Sequence, residues 1–338
     1  MSKRRNIAIV GTGRIVKAHV EALRRTGGFN IAGICGADLS RTAEAAAGLG
    51  LRPMEFAGIL GDRTIDVVDI ANSSDLHARY GIEAARKGKH LIIEKPIDVS
   101  EKKARELIEA CEKSGSLLGV VYQCRFDDSA ILLRKYIREG VFGGALSASV
   151  VWAQRRAVEY YLGSRDGCKG VLMNNGIHFI DLAVFLMGEE PVRCTGSVRS
   201  SRPGLNVEDQ AEVKLEFSNA CFSISMNTNV ERSMPTRLEV KGDKGGIAFS
   251  GKRLEYASVP PRLRLDLDYM RFYLAARMRA PMRFRPGTHY DVFMNYLGAL
   301  EGRERVSVDG KEALKSLKAV NAVYATANDQ AARETVPE

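Results

Sequence analysis

Membrane-spanning and disulfide-forming features are missing from this sequence of 338 residues. It contains no run of about 18 apolar residues, the length that a helix needs to cross a bilayer. Its start, MSKRRNIAIV, passes from a few charges into a short strand-like run, so we expect no signal peptide and a cytoplasmic location. The six cysteines form no CxxC pair, which predicts neither a disulfide framework nor a zinc site but buried thiols in a reducing compartment.

Clustered positive charge is also largely missing, although the net charge is +9. The basic residues are dispersed and no nucleic-acid-binding signature accompanies them, which argues against a nucleic-acid partner and favours an anionic small ligand. One stretch, residues 259–286, is locally basic, with arginines at 262, 264, 271, 277, 279, 283 and 285. We expect this stretch to be a surface segment that is exposed to solvent or packs against another subunit. The alternative is that it contacts a diphosphate or an acidic ligand.

Strand-like and helical segments alternate through the first third of the chain. The strand-like runs are NIAIV, FNIAGIC, IDVVDIAN, HLIIEK and LLGVVY, and helical patterns separate them. Such alternation implies right-handed crossovers and a doubly wound parallel sheet. A chain of this length with 45% hydrophobic residues is expected to have two domains, and we place the first at residues 1–123.

The second domain, residues 124–338, has a different rhythm. A helical segment leads into ALSASVVWAQ, another helix is expected around HFIDLAVFLMG, and several longer runs then alternate apolar and polar residues. These runs predict a large, open, mostly antiparallel sheet with one covered face, and hence an α+β domain. The amphipathic patterns of YDVFMNYLGAL and KEALKSLKAVNAVYATA predict final helices that pack back on the first domain.

A glycine turn follows the first predicted strand. In NIAIVGTGRIVKAHV, Gly11 and Gly13 stand at the mouth of a helix, where amide N–H groups and the helix dipole can hold a pyrophosphate. Val16 replaces the third glycine of the usual pattern, which should widen the helix-to-strand packing. The turn predicts a dinucleotide site.

The end of the second strand leaves the dinucleotide open. A glycine occupies the position where an acid normally receives the ribose hydroxyls. Asp38 can still reach the ribose, which favours NAD, whereas Ser40 and Arg41 can accept a 2′-phosphate, which favours NADP. We expect NAD(H) in preference to NADP(H), and no metal.

Three further motifs carry a resemblance to a known family. IANSSDLH spans residues 70–77, IIEKP spans 92–96 and NNGIHFID spans 174–181. Together with the glycine turn, they resemble the Gfo/Idh/MocA oxidoreductases. The resemblance implies an N-terminal Rossmann domain, a C-terminal α+β domain with a large open sheet, and association as a homodimer or homotetramer. We also expect association because an open sheet would otherwise expose an apolar patch.

Within that family the sequence is most similar to the sugar-nucleotide 3-dehydrogenases that oxidise UDP-N-acetylglucosaminuronate in cell-surface polysaccharide pathways. The matching stretches are GTGRIVKAH, YQCRF, EYY, GVLMNNGIHFID, HYDVF and VDGKEALKSLKAV. The segment LGSRDGCKG, at 162–170, is shorter than the tryptophan-containing loop of the subgroup. Cys124 stands where the subgroup usually has asparagine, and ANSS replaces the more common ATP-containing turn.

The resemblance places the catalytic groups on Lys95, His178 and Asp181. Oxidation of a secondary alcohol needs a base near the hydroxyl, and an imidazole with an unperturbed pKa of about 6.5 suits this role at His178. Asp181, one helical turn later, is expected to orient the imidazole. Lys95, at the end of a strand, is expected to stabilise the developing alkoxide.

Further contacts are expected around these groups. The candidate cofactor-binding residues are Gly11, Gly13, Arg14, Ile15, Asp38, Arg41, Ala71, Ser73, His77, Glu94, Lys95 and Gln123. The candidate substrate-binding residues are Lys95, Arg125, Tyr160, Asn174, Asn175 and His178, with Tyr161 a weaker candidate. His289 and Tyr290 fit either a pocket lining or a packing role, and His19 is expected to be structural.

These observations predict an enzyme that oxidises a sugar ring hydroxyl, C3 of a nucleotide-linked or anionic sugar being the leading expectation. A second hypothesis keeps the chemistry but makes the substrate a free sugar, an inositol or an aminoglycoside precursor, as the short loop permits. A third is a regulatory protein that binds the cofactor without turnover. The third hypothesis predicts cofactor binding with no reduction on any substrate and an unchanged phenotype for Lys95→Ala or His178→Asn, and complete loss of activity in both variants would exclude it.

Overall fold

The computed structural model describes residues 4–162, 170–258 and 285–334, and these fall into two compact units. The first unit holds residues 4–123 and 288–317, and the second holds the other described residues. Most of the basic stretch at 259–286 and most of the loop at 162–170 lie outside the described residues, so the expectations for them stay predictions.

The helices have the following bounds: α1 Ile15–Thr26, α2 Leu39–Leu49, α3 Phe56–Gly61, α4 His77–Arg86, α5 Glu101–Ser114, α6 Asp128–Arg138, α7 Glu159–Leu162, α8 Ile177–Met187, α9 His289–Leu300 and α10 Gly310–Glu334. Helix α9 and the start of α10 belong to the first unit. Among the described residues, no helix has the length and apolarity that a membrane crossing requires.

The sheet of the first unit is parallel and has five strands: β1 Arg5–Val10, β2 Phe29–Cys35, β3 Val67–Ile70, β4 His90–Glu94 and β5 Leu118–Val121. Their order is β2-β1-β3-β4-β5, so the predicted doubly wound sheet is confirmed. Next to β2, Ile34 forms an isolated parallel bridge with Pro53, at the place of a further edge strand. The reversal of strand order between β1 and β3 opens the crevice in which such sheets bind ligands.

The central strands are apolar along their whole length because a doubly wound sheet is covered on both faces. Ile7, Ile9, Val67 and Val68 are fully buried. Asp69, in the middle of β3, is a charged residue in the same environment, and its side chain has no exposed area. This carboxylate must therefore be held by hydrogen bonds or an ion pair.

The sheet of the second unit has seven strands: β6 Leu146–Ala153, β7 Arg193–Arg199, β8 Gln210–Glu216, β9 Ala220–Asn227, β10 Arg237–Gly242, β11 Gly245–Ser250 and β12 Arg253–Ser258. Their order is β12-β11-β10-β6-β9-β8-β7, and every neighbouring pair is antiparallel except β6 with β9. The expected mostly antiparallel sheet is thus confirmed. Three short elements, α3, α7 and β12, were not predicted.

Side chains alternate between the two faces of this sheet. Ala148, Val150 and Trp152 of β6 are buried, while Ser147 and Val151, at alternate positions, are exposed. On β8 and β9 the exposed positions are Glu212, Lys214 and Ser223. The expected apolar patch on the open face is therefore wrong, since these outward positions are mostly polar. Association into oligomers stays a prediction.

The expectation for the cysteines is only partly right. Cys35 and Cys111 are buried, and burial raises the pKa of each thiol to about 12. Cys124, Cys194 and Cys221 are half-buried. These five form no disulfide within the part of the chain that the structure describes.

Candidate active site

The glycine turn joins β1 to α1 in the first unit. Gly11 has a φ of 139°, and a β-carbon there would lie 2.3 Å from the carbonyl oxygen of Ala71. A β-carbon at Gly13 would meet no protein atom within 4 Å. Gly11 is thus required by the close approach of the β3 end, whereas Gly13 faces open space, as a glycine that admits a pyrophosphate must.

The start of α1 suits an anion. The helix begins at Ile15, and the preceding Arg14 makes no side-chain cap, so the first-turn amides point toward the turn. A cavity of about 440 Å³ lies beside it. The cavity is lined by Thr12, Gly13, Arg14, Val16, Lys17, Ala45, Gly48 and Leu49. These residues fit a dinucleotide because they combine the amino end of a helix with two basic side chains, Arg14 and Lys17.

Asp38 and Arg41 stand at the end of β2. Asp38 precedes α2 and caps it, its Oδ1 accepting a hydrogen bond from the backbone N–H of Arg41 at 2.7 Å. Both side chains are exposed. Either can therefore meet a ribose, and the choice between NAD and NADP stays open at this end.

The ends of β3 and β4 lie at the same edge of the sheet as the glycine turn. His77 is buried there, and its ring nitrogens lie 2.7 Å from the carbonyl oxygen of Pro96 and 3.3 Å from that of Asn72. His77 thus links the turn that follows β3 to the turn that follows β4. Lys95 is half-buried directly after β4, and its backbone N–H donates to Oε2 of Glu94 at 3.1 Å.

A buried histidine lies behind this edge. Nδ1 of His19 is 2.8 Å from Oδ2 of Asp69, and its Nε2 is 3.0 Å from Oε1 of Glu94. Nε2 of His289 is 3.5 Å from the same Glu94 oxygen. His19, Glu94 and His289 are the one group of three potential metal ligands found among the described residues. Sequence reasoning missed Asp69, although a charged residue within the apolar run VVDI was a signal.

The charges of this group shift the protonation of His19 and of Glu94. Burial alone would lower the pKa of His19, but Asp69 and Glu94 outweigh it and raise the pKa to about 10. Burial likewise would raise the pKa of Glu94, but hydrogen bonds from His19 and His289 bring it well below its usual value. Near neutral pH, His19 is therefore an imidazolium and Glu94 a carboxylate.

The second unit carries the histidine motif. A π-helical turn at Leu172–Gly176 leads directly into α8, where His178 is the second residue and is half-buried. Such turns are frequent at functional sites. Nδ2 of Asn174 donates to the hydroxyl of Tyr160 at 3.1 Å. Asn175 itself is half-buried, but its Oδ1 is enclosed and has no hydrogen-bond partner among the described residues.

The two tyrosines of EYY differ in environment. Tyr161 is buried, and its hydroxyl lies 2.7 Å from Oγ1 of Thr228. Tyr160 is half-buried, with its ring edge-on to that of Tyr161 at 5.2 Å. Of the two, Tyr160 has the surface that a substrate contact needs.

Arg125 and Asp181 form one ion pair rather than serving separately. The Nε and Nη2 atoms of Arg125 each donate to one oxygen of Asp181 at 2.8 Å, and both side chains are buried. The guanidinium also lies 5.4 Å from the ring centroid of Phe185. A direct contact between Arg125 and substrate, and the orientation of His178 by Asp181, stay predictions.

A parallel, doubly wound sheet with a glycine turn at its carboxyl edge defines a dinucleotide-binding α/β protein, here joined to a unit built on an antiparallel sheet. Two family models extend this assignment. The oxidoreductase family with an NAD-binding Rossmann fold matches residues 5–122, and the GFO/IDH/MocA C-terminal domain matches residues 131–248. The chain belongs to the Gfo/Idh/MocA family and is an oxidoreductase.

Relatives with established names share much of its length. Inositol 2-dehydrogenase of Rhizobium meliloti (strain 1021) is 29% identical over 251 residues, 72% of this chain and 75% of that protein. D-apiose dehydrogenase of Paraburkholderia graminis is 25% identical over 97% of this chain and 88% of that protein. The structure of the WlbA dehydrogenase from Bordetella pertussis, solved with NADH and UDP-GlcNAcA, has a TM-score of 0.86 at 24% identity. It covers 98% of this chain and 97% of that chain, and it shows the shared fold.

Proposed function

We propose that this oxidoreductase removes a hydride from a sugar ring hydroxyl to give a keto sugar, with C3 of a nucleotide-linked or anionic sugar as the leading substrate. The observation that carries the proposal is the position of Lys95. It follows β4 directly, at the sheet edge where the glycine turn opens. In open α/β sheets, ligands bind at this edge.

The proposed reaction divides the work between two side chains. NAD(P)⁺, when bound, accepts the hydride from the ring carbon. His178 takes the hydroxyl proton as that hydride leaves, which avoids a free alkoxide. Lys95 places an ammonium beside the same oxygen and stabilises the charge that develops on it. Asp181 favours the imidazolium form of His178, and its pairing with Arg125 holds the α8 segment that carries both residues.

The substrate is recognised, in this proposal, by residues of the π-helical turn. Asn175, half-buried in this turn, contacts a ring hydroxyl, and Asn174 with Tyr160 contacts a neighbouring polar group. The likeness to the WlbA fold, solved with UDP-GlcNAcA, supports a nucleotide-linked acidic sugar. The relation to inositol 2-dehydrogenase supports a second candidate, the oxidation of a free cyclic polyol.

For the cofactor, we propose NAD in preference to NADP. Asp38 is the acid nearest to the ribose position at the end of β2, and its capping bond with α2 leaves Oδ2 available for the ribose hydroxyls. Arg41, exposed one turn further, supports the opposite preference. The affinities of the protein for NADH and for NADPH, compared with each other, decide between the two cofactors.

The test is a screen that follows reduction of NAD⁺ and NADP⁺ by absorbance. The substrates are UDP-GlcNAcA, UDP-GlcNAc, free glucuronate and myo-inositol. Reduction with UDP-GlcNAcA at a KM far below that for free sugars supports the leading proposal. Reduction with myo-inositol alone supports the second candidate and rejects the first. Reduction that persists in a His178→Asn, Lys95→Ala double variant would reject the assigned chemistry.

A further inference from the structure

Four side chains of the first unit form a buried cluster behind Lys95. We call His19, Asp69, Glu94 and His289 the histidine–carboxylate cluster. They come from α1, β3, β4 and α9, and all but the half-buried His289 are buried. Nothing in the proposed hydride transfer uses His19, Asp69 or His289, although the cluster ends one residue from the proposed oxyanion stabiliser.

Both ring nitrogens of His19 face carboxylate oxygens. Asp69 lies 2.8 Å from Nδ1 and Glu94 lies 3.0 Å from Nε2. A carboxylate can only accept, so two short contacts of this kind require an N–H on each nitrogen. The ring is therefore an imidazolium that bridges β3 and β4, and the pKa raised to about 10 agrees with this arrangement.

Glu94 divides its two oxygens between different tasks. Oε1 receives His19 and faces Nε2 of His289 at 3.5 Å. Oε2 accepts the backbone N–H of Lys95 at 3.1 Å. The orientation of the carboxylate thus decides whether the Lys95 N–H has this acceptor, and His19 makes the shorter of the two histidine contacts to that carboxylate.

We propose that His19 is a positioning residue that holds the Glu94 carboxylate in the orientation that caps the Lys95 N–H and so aims the Lys95 side chain. This inference rests on the proposed function only for the consequence in catalysis. The cap itself is a property of the folded first unit and is measurable without any substrate. Because a displacement of about 1 Å in a reacting group costs on the order of 100-fold in rate, even a small turn of Glu94 should be visible in kcat.

A metal ion is the competing occupant of this cluster. His19, Glu94 and His289 offer ligand atoms within 4.8 Å of one another, and Asp69 would be the carboxylate that orients His19. The distance between Nε2 of His19 and Oε1 of Glu94 is 3.0 Å, a hydrogen-bond distance. A tetrahedral zinc site with bonds near 2.05 Å would separate its ligand atoms by about 3.3 Å. We therefore assign a proton, not a metal, to this contact.

Two amide variants of His19 separate its two hydrogen bonds. A glutamine amide reaches the place of the imidazole Nε2, whereas the shorter asparagine amide reaches the place of Nδ1. His19→Gln thus keeps a donor toward Glu94 and loses the one toward Asp69, and His19→Asn does the reverse. Both leave a buried carboxylate with one donor fewer, so they serve as matched controls for stability.

The first measurement is amide hydrogen exchange by NMR, without substrate. We expect the Lys95 amide to exchange at least about tenfold faster in His19→Asn than in His19→Gln, while Ile92 and Ile93 in β4 exchange alike in both variants. Equal exchange at Lys95 in both variants would overturn the proposal. The ring ¹⁵N shifts of His19 in the unmodified protein, identified among five histidines, should show two N–H groups at pH 8. A neutral ring at that pH would also overturn it.

The second measurement is kinetic. With a substrate from the screen, His19→Asn should lower kcat by about 10- to 100-fold with little change in the KM of the sugar, and His19→Gln should recover most of it. Equal losses in both variants would reject positioning through Glu94. If the protein reduces no dinucleotide with any of the substrates, the proposed function fails. Hydrogen exchange still tests whether His19 maintains the hydrogen bond between Glu94 and the Lys95 N–H. Displacement of the Nε2 proton of His19 by stoichiometric Zn²⁺ at pH 7 would replace the proposal with a metal site.

Discussion

Arg125 and Asp181 make a two-point ion pair in the interior of the second unit, with both N–O distances at 2.8 Å. The two residues are 56 positions apart and lie on a short turn and on α8. Because α8 also carries His178, the pair fixes the helix on which the proposed base stands. The main role of the Asp181 carboxylate in this structure is therefore to hold α8 in place through Arg125.

Loss of Arg125 should be costly for folding. Arg125→Met leaves a buried carboxylate without its guanidinium, and we expect the free energy of unfolding to fall by about 3–5 kcal/mol. Urea denaturation followed by circular dichroism measures this. Arg138→Met, at the exposed end of α6, is the matched control and should change it by less than about 0.5 kcal/mol.

A double variant checks the reason for that loss. Arg125→Met with Asp181→Leu removes both charges, so it should be more stable than Arg125→Met alone. A double variant that is less stable than Arg125→Met would show that the unpaired carboxylate is not what destabilises the single variant.

The two glycines of the turn should respond differently to a methyl group. Gly11→Ala introduces an atom 2.3 Å from the Ala71 carbonyl oxygen at a φ of 139°, so we expect a loss of about 3 kcal/mol in stability. Gly13→Ala meets no protein atom and should keep its stability within about 1 kcal/mol while weakening NADH binding about tenfold or more. Thermal unfolding and NADH fluorescence titration measure the two effects.

The control for the glycine pair is Gly58→Ala in α3, where a β-carbon also meets nothing. It should alter neither stability by more than about 1 kcal/mol nor NADH affinity. If Gly13→Ala binds NADH as tightly as Gly58→Ala, the turn does not hold the pyrophosphate.

The preference between the two dinucleotides should depend on the charge of Asp38. Asp38→Asn keeps an N-cap for α2 but removes the negative charge, so the affinity for NADPH relative to NADH should rise about tenfold. Arg41→Ala should shift the ratio the other way. Fluorescence titration with each reduced dinucleotide measures it, and Glu44→Gln, exposed on the same helix, is the control. Equal changes in both affinities would exclude Asp38 from the ribose site.

Sequence periodicity predicted most of the fold because strands and helices here follow local patterns. All five strands of the parallel sheet coincide with runs of β-branched residues, and α1, α2, α4 and α5 lie between them. The four residues of α3 that are apolar do not form a full helical repeat, and β12 is an edge strand of mixed polarity. Elements this short leave too little pattern.

The site was predicted less completely than the fold, for a different physical reason. Motifs marked Glu94, Lys95 and His178, but the histidine partners of Glu94 come from distant parts of the chain. His19 meets Asp69 across 50 positions, and His289 reaches Glu94 from α9. No local pattern reports such contacts, since they arise only when the parallel sheet, α1 and α9 have formed.

The stability of the protein should depend on pH through His19. Its pKa is raised from about 6.5 to about 10 in the folded state, so the folded protein holds the ring proton more tightly than the unfolded chain. The extra stability is fully present below pH 6.5 and is lost as the pH rises through about 10. Glu94 acts in the opposite sense, because its lowered pKa gives stability that is lost as the pH falls below its ordinary value.

Urea denaturation of the unmodified protein and of His19→Gln measures this dependence between pH 6.5 and 10. The unmodified protein should be the more stable at pH 6.5, and the difference should shrink steadily toward pH 10. Titration of other groups does not affect the comparison, because the two proteins have the same titratable groups except at residue 19. A difference that stays constant over this range would show that His19 does not hold its second proton in the folded state.

Removal of the two proposed chemical groups should separate turnover from cofactor binding. His178→Asn loses the base and Lys95→Met loses the positive charge at the oxygen, so each should lower kcat by about 100- to 10,000-fold. Neither lies in the glycine turn, so NADH affinity should fall much less than kcat in both variants, although Lys95 is also a candidate contact of the cofactor. Lys102→Met, exposed on α5, is the control for loss of a positive charge and should leave kcat and affinity unchanged. If Lys95→Met lowers NADH affinity as much as it lowers kcat, the role of Lys95 is to bind the dinucleotide. His178 would then be the one residue left with a proposed role in the chemical step.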